Sequence, residues 1–137
     1  MRNILHADGH AKHIELYIDT VDVLDENIFC DKLRLNQVLL NLLSNAVKYT
    51  SAGGVVSLRI TERQDAPAGC ANYDFTIKDT GIGMSQEFVE RIFEPFERER
   101  NSTISGIQGT GLGMAITKNI IDMMVQLKEH MLLQKQC

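Results

Sequence analysis

Two alternating segments, Val55–Arg63 and Tyr73–Asp79, follow one another with only a polar loop containing Pro67 and Gly69 between them. Alternation over such lengths is the pattern of a half-buried strand. A doubly wound parallel sheet needs a helix between neighbouring strands, and here there is none, so that architecture is excluded. The remaining elements fall around this pair. His13–Asp19 alternates, with Ile14, Leu16 and Ile18 on one side, and reads as a further strand; Asn27–Cys30 is a short extended piece. Asp31 has the chemistry of a helix N-cap, and a helical pattern runs from it to about Tyr49 with Leu35, Leu39, Leu42 and Ala46 on the buried face. Gly53–Gly54 closes it.

After the strand pair, Ser85 caps a short helix reaching about Ile92, with Met84 and Val89 at the positions of a hydrophobic staple. Residues 97–111 are polar, rich in Gly, Ser, Thr and Arg, and without periodicity. Long structureless loops in compact domains are usually functional. The last helix is expected from about Leu112 to Met124, with Leu112, Ile116, Ile120 and Met123 as its apolar face. Strand, helix, two strands, short helix, long loop and helix together read as an α+β fold: a two-layer sandwich with helices on one face of a mixed sheet.

Composition narrows the function. The chain has 137 residues, 44% hydrophobic and 23% charged, the make-up of one globular domain. A net charge of −4 argues against a nucleic-acid module, which carries a basic stripe. It leaves room for a phosphate ligand held by backbone dipoles and a few cations. Cys30, Cys70 and Cys137 are odd in number and too far apart in sequence for a metal-ligand pair, so reduced thiols in a cytoplasmic setting are expected. His10 and His13 lack the further ligands a zinc site needs. No apolar run approaches a membrane span and Met1 to His10 is no signal peptide, so no direct membrane contact is expected, although the segment fits the cytosolic part of a longer membrane protein.

Two patterns carry chemistry. On the first helix Arg34, Gln37, Asn41, Asn45 and Lys48 fall within about 80° of one another at ~100° per residue. By periodicity alone this is a solvated face. Two asparagines four apart are, however, poorer helix formers than Lys or Glu, and their neutral oxygens suit a magnesium ion shared with phosphate. Lys48 adds a point charge one turn on. The second pattern is a pair of glycine segments, Asp79-Thr80-Gly81-Ile82-Gly83 after a strand and Gly109-Thr110-Gly111-Leu112-Gly113 before a helix. Alternating glycines at a helix start suit an anion, because the N–H groups there are unpaired and the dipole is positive. The absence of a Gly-Lys-Ser/Thr ending excludes a Walker loop, and the spacing is not that of a dinucleotide fingerprint. Asp79 at a strand end can accept from an exocyclic amino group, while Gly81 and Gly83 let a flat ring approach the backbone.

In order, Asn41-Leu-Leu-Ser-Asn45-Ala-Val-Lys48-Tyr49, Asp79-Thr-Gly81-Ile-Gly83, Phe93-Glu-Pro-Phe96 and Gly109-Thr-Gly111-Leu-Gly113 resemble the catalytic ATP-binding domain of bacterial sensor histidine kinases. That domain sits in the superfamily with the gyrase, heat-shock chaperone and mismatch-repair ATPases. The similarity covers about residues 13–124 of a single domain, 1–137, and leaves 125–137 as an atypical tail. Phe96-Glu-Arg98-Glu-Arg100 and the run 108–116 most resemble the hybrid sensor kinases.

The resemblance implies ATP and Mg2+ as ligands. Asn45, helped by Asn41, would hold magnesium; Lys48 would contact phosphate; Tyr49 would lie near adenine or ribose. Asp79 would recognise the adenine amino group, with Gly81, Ile82 and Gly83 shaping the pocket. Phe93 and Phe96 would anchor a lid at about 97–108. Gly109, Thr110, Gly111, Leu112 and Gly113 would wrap the phosphates, and Arg98 would meet the γ-phosphate. ATP-hydrolysing relatives carry a glutamate general base where this chain has Asn41. That difference points to phosphoryl transfer to a histidine on separate dimerisation helices, with a response regulator downstream. A regulatory nucleotide-binding module without transfer, and an ATP-hydrolysing relative, stand as alternatives.

Two departures matter. His6, His10 and His13 do not match the phosphoacceptor segment. The family's helix over Ile116–Met124 ends at a glycine turn followed by two strands, whereas 125–137 has neither a turn nor period two. The C-terminal strands are therefore expected to be missing, and the exposed sheet edge, or Met131–Leu133 in the tail, would offer a homodimer contact.

Overall fold

In this computed structural model the described residues are 13–24, 28–97 and 110–135. They form β1 (Glu15–Val21), α1 (Lys32–Tyr49), β2 (Val55–Arg63), β3 (Asn72–Asp79), α2 (Gln86–Arg91) and α3 (Gly113–Lys135). Helices with a mixed three-stranded sheet make this an α+β fold, as expected. By contacts the chain divides into two compact units. One holds Met1–Cys30 and Leu43–Gly83, the other Asp31–Leu42 and Met84–Cys137.

The first unit contains the sheet, in the order β1-β2-β3. β1 runs parallel to β2, from Glu15 opposite Val55 to Val21 opposite Thr61. Parallel neighbours require a crossover, and α1 is the connecting helix. β2 and β3 are antiparallel, with Leu58 opposite Ile77 and Ile60 opposite Phe75. As the middle strand β2 carries the deepest residues: Val56 and Leu58 are buried with Leu43, Ala46 and Val47 of α1. Leu43 is 1% exposed. Burying side chains of this size contributes about 1.5–3 kcal/mol each. Glu62 is buried too, and its Oε2 accepts from the Leu24 N–H at 2.6 Å.

β1 differs from expectation in place and in burial. His13 stands at φ 52°, a turn conformation, and its carbonyl accepts from Gly53 N–H. Pairing starts only at Glu15, whose N–H donates to the Gly54 carbonyl. Ile18 is 52% exposed, so the anticipated apolar side of β1 is only partly used. Residues 28–30 carry no regular structure, and Asn27 lies outside the described residues.

α1 starts where Asp31 predicts. The Arg34 N–H donates to Asp31 Oδ1 at 3.1 Å, and the Arg34 side chain pairs with the same carboxylate. It ends at Tyr49, and the next residue, Thr50, is buried with its hydroxyl donating to the Ala46 carbonyl at 2.6 Å. In the second unit Val38 and Leu39 of α1 are buried, as are Ala115, Thr117 and Ile120 of α3. Asn41 Nδ2 donates to Thr117 Oγ1 at 3.3 Å, and Arg34 Nη1 donates to Met123 Sδ at 3.6 Å. Positions later in α1 meet positions earlier in α3, so the two helices run antiparallel in this unit.

α3 departs from the sequence reading on part of its apolar face. Ile120 is buried as expected, but Ile116 and Met123 are both 41% exposed, and Ala115 and Thr117 are buried in their place. Thr117 tolerates full burial because its hydroxyl has Asn41 as a partner. The helix runs past Met124 to Lys135, as the helical spacing of Leu127, Met131 and Gln134 in the sequence allows, since residues 125–135 contain no Gly, Pro or Asn to stop it. Among the described residues no strand follows it. α2 is capped as expected, with Phe88 N–H donating to Ser85 Oγ, but the staple residues Met84 and Val89 stay exposed. No described helix is long and apolar enough to cross a membrane.

Candidate functional site

In the first unit the end of α1 and the loop after β3 are joined. Tyr49 is the last residue of α1, and its carbonyl accepts from the Ile82 N–H at 3.2 Å. Gly81 passes so close that a Cβ would lie 2.5 Å from that carbonyl oxygen and 2.7 Å from Asp79 Oδ1. Only a glycine fits there. Its N–H donates to Asp79 Oδ1 at 2.8 Å, which orients the carboxylate and leaves Oδ2 as its second acceptor. Thr80 fastens the other side of the turn: it exchanges bonds with Val55 through its N–H and its hydroxyl.

Of the expected ligand residues, Tyr49 at the end of α1 is thus brought against Asp79, Gly81 and Ile82 of the turn after β3, and Gly83 follows in the same turn. Asp79 is exposed and Ile82 is 54% exposed, so both are accessible to a ligand. Lys48 Nζ lies 5.4 Å from the Tyr49 ring centroid, within cation–π range.

The polar stripe of α1 is not uniformly solvated. Gln37 is exposed, while Asn41, Asn45 and Lys48 are half-buried. Asn41 and Asn45 sit one turn apart, so their carboxamides share a helix face. Among the described residues no group of three or more His, Cys, Asp or Glu side chains could hold a metal ion. A divalent ion here would therefore rest on neutral amide oxygens and need an anionic ligand to balance its charge. Magnesium shared with a polyphosphate fits that donor set.

In the second unit the two ends of the long loop meet. Phe96 N–H donates to the Gly111 carbonyl at 2.9 Å. Phe96 stands at φ 65°, a left-handed conformation costly for a residue with a side chain, and Gly111 at φ 72°. A Cβ on Gly111 would lie 2.8 Å from the Phe96 carbonyl carbon. The loop is therefore closed at its base, backbone against backbone. Phe96 takes part in this closure through its backbone; the rings of Phe93 and Phe96 are 48% and 73% exposed. The Arg91–Glu97 ion pair at 2.9 Å adds a further tie at the same base.

At the start of α3, Thr110 Oγ1 accepts from the Leu112 N–H, and the Leu112 carbonyl accepts from Ile116. The N–H groups of Gly113, Met114 and Ala115 precede the first intrahelical bond, which makes this a polar, positively biased helix start. Arg98, Gly109 and the proposed lid at 97–108, beyond its first residue, lie outside the described residues.

Thr117 went unnoticed in the sequence, although it fixes the Asn41 carboxamide. Its signal was a threonine between Ala115 and Ile120 on a helix, which reads as an ordinary surface position. The Tyr49 carbonyl was also missed, because a backbone acceptor leaves no mark in residue type.

The family profile described as histidine kinase-, DNA gyrase B-, and HSP90-like ATPase matches residues 30–131. The autoinducer 2 sensor kinase/phosphatase LuxQ of Vibrio harveyi is 41% identical over 128 residues, covering 90% of this chain and 14% of that protein. The hybrid signal transduction histidine kinase A of Dictyostelium discoideum is 46% identical over 99 residues, covering 69% of this chain and 5% of its own. The chain thus spans a small fraction of these curated relatives. Among solved structures, the catalytic domain of histidine kinase ThkA superposes with TM-score 0.69 at 26% identity, covering 89% of this chain and 72% of that one. The mycobacterial sensor histidine kinase MprB gives TM-score 0.62 at 26% identity, over 88% and 73%. With three quarters of its length inside that profile, and with the asparagine helix and both glycine turns in place, the chain belongs to the histidine kinase-, DNA gyrase B- and HSP90-like ATPase family, whose ligand is ATP.

Proposed function

We propose that this chain is the ATP-binding catalytic part of a larger two-component sensor kinase, and that it presents the γ-phosphoryl group of ATP to a histidine on separate phosphoacceptor helices. The observation that carries the reading is Asn41. It occupies a half-buried position with its amide donating to Thr117, and a carboxamide cannot take a proton from water. A neutral imidazole is already nucleophilic, so transfer to histidine needs positioning and charge neutralisation rather than a general base.

Each site residue then has a task. Asp79 accepts from the adenine amino group, with Gly81, Ile82 and Gly83 as the backbone against which the ring lies. Tyr49 packs near adenine or ribose. Lys48 and Arg98 offset phosphate charge. Gly109, Thr110, Gly111, Leu112 and Gly113 direct N–H groups at the phosphates. Phe96 sets the conformation of the loop base. Asn45, with Asn41, would hold Mg2+, which neutralises charge on the phosphates when bound.

Residues 1–137 serve as one ATP-binding domain on the cytoplasmic side of the parent sensor, with a response regulator as the eventual acceptor. The test mixes the chain with a separately supplied phosphoacceptor helix pair and γ-labelled ATP. Acid-labile, alkali-stable label on the helices supports the proposal. Retained ATP binding with no label would reduce the chain to a regulatory module, and release of free phosphate would make it a hydrolase.

A further inference from the structure

The ladder between β2 and β3 ends in an unusual way. Its last pair is Val56 with Asp79, and one step beyond it Val55 meets Thr80. In a hydrogen-bonded antiparallel pair the two residues exchange both N–H···O=C bonds. The first is made here: the Thr80 N–H donates to the Val55 carbonyl at 3.0 Å. For the second, the Val55 N–H donates to the Thr80 hydroxyl, Oγ1, at 2.9 Å. A side chain has replaced the backbone carbonyl as acceptor. The turn between α1 and β2 closes on the same hydroxyl, since a Cβ on Gly54 would lie 2.9 Å from it.

That replacement decides where the chain goes next. The Thr80 carbonyl and the Gly81 N–H belong to one planar peptide and point in opposite directions. A carbonyl aimed at Val55 would hold the Gly81 N–H in the plane of the sheet, directed away from β2. With the hydroxyl in its place the peptide can rotate, and the Gly81 N–H meets Asp79 Oδ1 at 2.8 Å. An aspartate bonded to the backbone two residues on makes a turn. That turn brings the Ile82 N–H to the Tyr49 carbonyl at 3.2 Å.

We propose that Thr80 is a positioning residue for base recognition. By ending the ladder on its hydroxyl it sets the direction of the Asp79 carboxylate, and with it the selectivity for a purine that bears an exocyclic amino group. This role rests on the adenine contact proposed for Asp79. The hydroxyl acts through the Gly81 N–H and not on the base itself. Without it, the Val55 N–H falls back on the carbonyl of residue 80 or, because Thr80 is exposed, on water. The strand then runs on or the turn loosens, and in both cases the carboxylate loses its fixed direction. The ladder from Val56 and Asp79 onward keeps its own bonds, so the fold is retained.

The test is competition of ATP, and of purine riboside triphosphate, which lacks the amino group, against a fluorescent ATP analogue on the full chain with Mg2+. The wild type prefers ATP, and D79N loses the preference. T80V keeps the shape and removes the acceptor; it loses several-fold in affinity for ATP and much less for the other triphosphate. T80A, also without an acceptor, repeats that result, and T80S, which restores a hydroxyl, recovers wild-type selectivity. Amide hydrogen exchange without nucleotide is an independent readout. Gly81 exchanges at least several-fold faster in T80V and T80A than in the wild type and T80S, while Ser57 and Lys78, paired within the ladder, keep their rates. Equal losses for both triphosphates in T80V and T80A would make Thr80 a merely structural part of the turn and overturn the proposal. Full selectivity in both variants overturns it too. A wild type indifferent to the amino group, or a D79N chain that keeps the preference, removes the adenine contact itself and the role of Thr80 with it.

Discussion

Gly81 lies against the end of α1, where a Cβ would stand 2.5 Å from the Tyr49 carbonyl oxygen. The same carbonyl accepts from Ile82, so the helix end and the turn after β3 form one rigid joint. Gly81→Ala forces backbone against backbone, and overpacking of this kind costs about 1–3 kcal/mol. The expected result is a lower denaturation midpoint together with weaker binding of a fluorescent ATP analogue. Unchanged stability would show that the joint yields more easily than the geometry implies.

The base of the long loop gives a second prediction. Gly111 combines positive φ with contact on the Phe96 backbone, so Gly111→Ala meets both strain and a clash. A residue with a side chain in the left-handed region costs about 1–2 kcal/mol before any clash. ATP affinity should fall at least several-fold, while hydrogen exchange in β2 and β3 stays unchanged, because the damage is confined to the other unit. Wild-type affinity in this variant would remove Gly111 from the ligand-shaping residues.

Local chemistry is what the sequence made legible. Asp31 and Ser85 cap helices within three residues of themselves, and the strands β2 and β3 declare their alternation directly. The Asn41–Thr117 bond could not be read, because its partners are remote in the chain and neither type is diagnostic. Part of the buried side of α3 was misjudged for the same reason. Ile116 and Met123 look like core residues by hydrophobicity, yet the small residue Ala115 and the hydrogen-bonded Thr117 are what the neighbouring helix admits. Phe96 shows the limit from the other direction: no residue-type rule predicts a phenylalanine at positive φ, which is set by the Gly111 carbonyl it must reach.

Asp79 separates recognition from structure. Its Oδ1 already accepts from Gly81 N–H, and an asparagine oxygen can keep that bond. Asp79→Asn should therefore leave the turn and the thermal midpoint nearly unchanged. It should weaken ATP by about 1–3 kcal/mol, the scale of a hydrogen bond to a charged group. Binding of an analogue lacking the exocyclic amino group should be insensitive to the change. Equal losses for both nucleotides would place Asp79 elsewhere than at the adenine edge.

Thr117 is 1% exposed and accepts from Asn41 Nδ2. Thr117→Val keeps the volume and removes the acceptor, and loss of one hydrogen bond to a half-buried amide costs about 0.5–1.5 kcal/mol. The proposed role adds a functional signature: transfer to the phosphoacceptor helices should slow more than ATP binding weakens, because Asn41 loses its fixed orientation. Thr117→Ser, which restores a hydroxyl, should recover most of the rate. If serine and valine behave alike, the bond is a packing detail only.

The last prediction concerns magnesium. Asn41 and Asn45 offer neutral oxygens, and among the described residues no acidic cluster accompanies them. A divalent ion gives up hydration reluctantly and needs anionic ligands to compensate. Calorimetric titration of Mg2+ into the chain alone should therefore show no saturable binding, whereas titration in the presence of a non-hydrolysable ATP analogue should. Asn45→Ala should abolish the magnesium-dependent gain in nucleotide affinity while the fold, followed by circular dichroism, is retained. Saturable magnesium binding without nucleotide would require a different site. Full magnesium dependence in the Asn45→Ala chain would free that residue from the metal role and leave the phosphate charge to Lys48 and the helix start at Gly113.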